Sequence, residues 1–181
     1  KYSIIAPLAC FAKNSVIEGC TNYYNVDFTA DNKSGEFVAL SGLVGAIINS
    51  TIGGESKTQS CANRGFVRTG RISNTANGGT GMQTAGICAF MAKAEGGKLS
   101  YCTNYGDIFT EGNGTNRHGP GWLCGYSGAS TATWINCKAC VCGGYVGDYS
   151  KYKDDPTSAP DATNENAFCH ANKNYDPSIN F

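Results

Sequence analysis

The chain has 181 residues, its 14 basic side chains balance 14 acidic ones, and charged residues make up only 15% of it, against about a quarter in ordinary soluble domains. The length suits one domain or one stretch of a longer repetitive one, and the neutral balance excludes the basic footprint of a nucleic-acid binder. With 24 Gly and 17 Asn, and no run of helix formers longer than Ala89 to Glu95, composition favours strands and turns and excludes a helical bundle.

Along the chain, two kinds of apolar block alternate. It opens on Tyr2-Ser3-Ile4-Ile5-Ala6 without a visible signal peptide or lipidation motif, which reads as a mature or trimmed product. The first block is Pro7-Leu8-Ala9-Cys10-Phe11, and its counterparts are Gly42-Leu43-Val44-Gly45-Ala46, Gly86-Ile87-Cys88-Ala89-Phe90 and Trp122-Leu123-Cys124-Gly125-Tyr126. The second is Cys20-Thr21-Asn22-Tyr23-Tyr24-Asn25-Val26, which superimposes without gaps on Cys61-Ala62-Asn63-Arg64-Gly65-Phe66-Val67 and Cys102-Thr103-Asn104-Tyr105-Gly106-Asp107-Ile108. These copies lie 41 residues apart, twice. A degenerate fourth copy starts at Trp134-Ile135-Asn136-Cys137. No apolar stretch approaches the roughly 20 residues that cross a bilayer, since the longest, Val38 to Ile48, is broken by Ser41, Gly42 and Gly45.

Two β-rich blocks recurring in a fixed order, with Gly, Asn and Ser between them, predict an all-β parallel β-helix, or solenoid, of about four rungs. The expected rungs run over about 6–41, 42–84, 85–120 and 121–150 within a repeat region of 1–150. Segment 151–181 loses the motif, carries Asp154-Asp155-Pro156, Ala159-Pro160 and Asp176-Pro177, and is expected to be an irregular cap. Stacked rungs bring each inward residue against its own counterparts about 4.8 Å away. Cys20, Cys61, Cys102 and Cys137 are therefore expected to form an interior ladder, with Cys88 and Cys124 as a second. Asn22, Asn63 and Asn104, two residues after the ladder cysteines, are expected at a corner, bonding backbone groups and tolerating left-handed dihedrals together with Gly65 and Gly106.

Gly42-Leu43-Val44-Gly45 resembles the Gly-Leu-hydrophobic-Gly core of the GLUG repeat. With the following Cys-x-Asn-Tyr-Gly-Asp-Ile pattern, residues 6–147 are similar to repetitive surface proteins of gut Bacteroidetes. That resemblance implies a β-solenoid on a secreted or cell-surface protein, usually one module of a longer chain. Only one of the four strands carries the full Gly-Leu-Val-Gly.

The ten cysteines admit three readings. Buried thiols explain the repeated positions. Disulfides compete in an extracellular setting, with Cys10, Cys140, Cys142 and Cys169 outside the ladder. Cys137-Lys138-Ala139-Cys140 followed by Cys142 has knuckle-like spacing, but a zinc site wants two such pairs. No metal or catalytic thiol is expected. Carbohydrate-active enzymes on solenoids need paired carboxylates, or a base beside calcium, and Asp27, Arg68 and Asp107 form no carboxylate ladder. The polar segment from Asp107 to His118 carries oxygen ligands and a base, with Arg117 and His118 at its end, and reads first as a long solvated loop between rungs; no cofactor is expected, a structural calcium ion being the alternative.

Sugar recognition needs less: an exposed aromatic face and neighbouring hydrogen-bonding groups. Tyr23, Tyr105, Asp107, Arg117, His118, Trp122 and Tyr126 are the candidate ligand contacts. The expected function is a non-enzymatic, extracellular or cell-surface bacterial module with a structural or adhesive role, partnered by other domains or neighbouring subunits, even as a fibre unit. The alternatives are a glycan-binding module and a β-helix lyase or hydrolase.

Overall fold

Val, Ile, Thr, Phe and Cys fill the short blocks, and Gly, Asn and Ser separate them, so each block makes a strand of two to five residues and then turns. The computed structural model describes residues 2–28, 37–71, 82–91, 97–111, 121, 123–127, 141–142 and 146–148. Coil one holds β1 (Tyr2–Ile5), β2 (Ala9–Lys13), β3 (Val16–Ile17), β4 (Thr21–Asn22) and β5 (Val26–Phe28). Coil two repeats the set as β6 (Phe37–Ser41), β7 (Val44–Ile48), β8 (Ser50–Ile52), β9 (Cys61–Asn63) and β10 (Val67–Arg71). Coil three does so as β11 (Met82–Ala85), β12 (Cys88–Met91), β13 (Gly97–Leu99), β14 (Cys102–Asn104) and β15 (Ile108–Glu111). Beyond it lie β16 (Cys124–Ser127), β17 (Val141–Cys142) and β18 (Val146–Asp148).

Every strand pairs only with its counterpart in the coil before or after, always in parallel, so the chain winds as a parallel β-solenoid with five sheets. The sheets of β2, β4 and β5 hold four strands and those of β1 and β3 hold three among the described residues. The described residues contain no α-helix, only a 3-10 turn at Lys57–Gln59, and no helix long and apolar enough to cross a membrane.

The two sequence blocks sit in different sheets and do not share one period. Leu8 and Leu43 occupy one column 35 residues apart, through the pairing of Ala9 with Val44, whereas Thr21 pairs with Ala62 at 41. The difference of 41 − 35, six residues, is taken up between β8 and β9, where the 3-10 turn bulges out with Glu55 to Thr58 exposed.

Among the described residues the interior forms two clusters. A larger cluster joins Leu43, Ile47, Ile52, Ile87, Leu99 and Leu123 with the thiols of Cys61, Cys88, Cys102 and Cys124, all at most 1% exposed. A smaller one packs Leu40, Val67 and Ile108 against Ile5, Val26 and Phe28. Between β6 and β7 the chain bends at Gly42, where a Cβ would fall on the amide of Asn63. The glycine of the Gly-Leu-Val-Gly motif thus makes room for a polar group within the molecule, which fixes glycine there by close approach.

Register sets Cys61 opposite Cys102 and Cys88 opposite Cys124. Two details differ from the sequence expectation. Asn104 pairs with Cys142, so the cysteine-rich fourth copy is threaded three residues later than an alignment on Cys137 would have it. Cysteines at 137 and 140 make those two alignments equally plausible to the eye, and only backbone pairing separates them. Cys137 itself lies outside the described residues. Second, Asn22, Asn63 and Asn104 bond backbone carbonyls at the turn, as expected, but they end strands in extended conformation, and neither they nor Gly65 and Gly106 carry a positive φ. Among the described residues, the left-handed positions are Asn14, Gly19, Asn49, Gly53 and Tyr101.

Candidate functional site

Strand alternation after each ladder cysteine decides what faces inward and what faces solvent. Two residues on, Asn63 and Asn104 are fully buried and Asn22 nearly so. Their amides form a continuous chain: Asn22 Nδ2 donates to Asn63 Oδ1 at 2.9 Å, and Asn63 Nδ2 to Asn104 Oδ1 at 2.8 Å. The second amide hydrogen of each goes to the carbonyl two residues ahead, on Tyr24, Gly65 and Gly106, each at 2.7 Å. An amide carries two donors, one for its own turn and one for the next coil, and this explains why Asn recurs here.

The thiol column is similarly tied to backbone. Cys61 Sγ lies 3.4 Å from the Ile17 carbonyl and Cys102 Sγ 3.2 Å from that of Ile52. Burial pushes the Cys61 thiol above its ordinary range, outweighing backbone hydrogen bonds at Cys20 and Gly53 that act the other way. Cys10, Cys20, Cys61, Cys88, Cys102 and Cys124 all stand as thiols, and Cys10 is exposed. Among the described residues no group of three His, Cys, Asp or Glu side chains is placed to hold a metal ion. The oxygen-rich segment from Asp107 to His118 lies largely outside the described residues.

Three residues after the cysteine the side chains point out, giving a surface column of Tyr23, Arg64 and Tyr105. Tyr23 is 69% and Tyr105 52% exposed, and Tyr24 beside them reaches 81%. The Arg64 guanidinium carbon lies over the Tyr105 ring, 4.4 Å from its centroid, a cation–π contact. Farther round the same corner, Arg68 makes a two-pronged ion pair with Asp27, at 2.9 and 2.7 Å. At this exposure such a pair contributes under about 1 kcal/mol.

Of the residues singled out from sequence, Tyr23 and Tyr105 share this outer column, and Asp107 is half-buried two residues past Tyr105. Arg117, His118 and Trp122 fall outside the described residues, as does the side chain of Tyr126. Sequence reasoning missed Tyr24 and Arg64. Arg64 was recoverable, because it falls between Tyr23 and Tyr105 in the ungapped alignment.

The carboxylates of the described coils do not converge. Asp27 on β5 is held by Arg68, and Glu18, in the turn after β3, accepts at Oε2 from Nε2 of Gln59 in the 3-10 turn at 3.0 Å. This corner presents aromatic ring faces and a guanidinium group to solvent. Comparison with protein-family models, with curated proteins and with solved structures returns no match.

Proposed function

We propose that the chain is a structural module of a secreted or cell-surface bacterial protein, acting as a spacer or adhesive segment, as the resemblance to GLUG-type repeats implies. The observation that carries this reading is the use of the interior: cysteine, asparagine and aliphatic columns are spent on joining one coil to the next. Such a rod gains its rigidity from repetition and presents one continuous outer surface. Labelling of intact producing cells with an antibody against the chain tests it. Surface labelling is expected, and a signal found only after lysis would overturn it, as would turnover of any polysaccharide in a panel assay.

A second reading, glycan binding, is favoured by one specific feature, the exposed Tyr23, Tyr24, Arg64 and Tyr105 corner. Tyrosine rings two coils apart stand about 10 Å from one another, twice the strand spacing, which is about the length of a disaccharide. A glycan array probed with the parent and with Tyr23→Ala/Tyr105→Ala decides it. Binding retained by the double variant would exclude this corner.

A further inference from the structure

We infer that Tyr24 makes the first coil an end of the solenoid, onto which neither a further coil nor a second copy of the chain stacks in the register used inside. The position four residues after the ladder cysteine is Tyr24 in coil one, Gly65 in coil two and Gly106 in coil three. A Cβ added to Gly106 would fall on the carbonyl oxygen of Gly65, and one added to Gly65 on that of Tyr24. Neither glycine has a positive φ, so what the column demands is space on the side of the preceding coil, not an unusual backbone. The requirement recurs at each step between described coils.

Tyr24 places a full side chain in that column and is the most exposed of the large hydrophobic residues. Its Cβ points where no described coil lies. A coil added there in the same register would set a carbonyl oxygen on that Cβ, and the parallel hydrogen bonds on either side of the turn could not form without moving it away. Charge acts in the same sense on β2, where Lys13 ends the strand in the column that Ile48 occupies in coil two. Charged side chains on open edge strands discourage further pairing.

Leu8, Phe11 and Val16 do expose apolar surface on coil one. What Tyr24 excludes is thus coil-on-coil continuation, and not contact as such. The solenoid has a polarity, with growth permitted from coil one toward coil three and blocked in the other direction. Any fibre built from this chain is joined through other surfaces.

The test uses the full chain. Gly65→Tyr puts the large residue where a coil does lie in front and is expected to lower the melting temperature by roughly 5 °C or more. Tyr24→Ala is expected to change it by about 2 °C or less. Should Gly65→Tyr not fold, Gly65→Ala adds the Cβ alone and is expected to lower melting as well. A Gly65 variant as stable as the parent would overturn the inference. Hydrogen exchange across a concentration series supplies the assembly readout, with the outward amides of coil one expected to stay unprotected at every concentration. Protection of those amides that grows with concentration, alongside end-on oligomers in light scattering, would overturn it equally.

Discussion

Removing the central amide of the asparagine ladder should be among the most damaging small changes available to this fold. Asn63 is fully buried, donates to Gly65 O at 2.7 Å and to Asn104 Oδ1 at 2.8 Å, and accepts from Asn22 Nδ2 at 2.9 Å. Asn63→Ala deletes all three, each with a net value of about 1 kcal/mol, and strands buried partners that water does not reach, for a total of about 3–4 kcal/mol. At roughly 2–4 °C per kcal/mol for a chain of this size, the melting temperature falls by about 10 °C. Asn22→Ala is the matched control. It also removes three contacts, two to Tyr24 and one to Asn63, but these are only partly buried at the first coil, apart from the bond to Asn63, so water replaces much of what is lost. Its expected cost is about 1–2 kcal/mol. Urea unfolding followed by circular dichroism gives both values from the midpoint at unchanged slope. The double variant should show a coupling of about 1 kcal/mol through the shared bond. An Asn63→Ala midpoint no lower than that of Asn22→Ala would refute the ladder as a source of stability.

Gly42→Ala drives its new methyl into the Asn63 amide and should destabilise by about 3 kcal/mol, the upper range for overpacking; a calorimetric scan within 2 °C of the parent, with stability changing by roughly 2–4 °C per kcal/mol, would contradict it. The raised Cys61 thiol implies a definite pH response. Because the folded form holds its proton beyond the ordinary value of 9.0, its stabilisation is complete below that pH and is lost as pH rises past it. Urea midpoints should hold up to that region and then fall, and Cys61→Ala should flatten the fall. Among the described cysteines, native-state alkylation with mass-spectrometric readout should label exposed Cys10 first and leave Cys61, Cys88, Cys102 and Cys124 unmodified until unfolding. Early labelling of Cys102 would show that the column opens locally.

The architecture was legible because repetition is itself the structural signal: equal spacing of Cys20, Cys61 and Cys102 forces like onto like once strands stack, and the structure sets Cys61 opposite Cys102. Two of the three residues of the outer column were legible for the same reason, since Tyr23 and Tyr105 occupy one aligned position. Legibility stopped where a local pattern had two solutions. Cys137 and Cys140 offered alternative registers for the fourth copy, and the pairing of Asn104 with Cys142 chose between them. A corner role for Asn22, Asn63 and Asn104 followed from turn propensity, and each amide does bond the turn's carbonyl, but the extended backbone that also lets it bond the next asparagine appears only once the coils are stacked.

The order of residues alone, then, determined that this chain stacks coil upon coil and that the Cys-x-Asn blocks of the first three coils pile up, because that block recurs at a constant 41-residue spacing. The tertiary structure alone decided how the interior divides into two clusters, why Gly42 must lack a side chain, and that Arg64 lies against Tyr105. Those outcomes depend on distances between sheets that are far apart along the chain, and a linear pattern holds no measure of them.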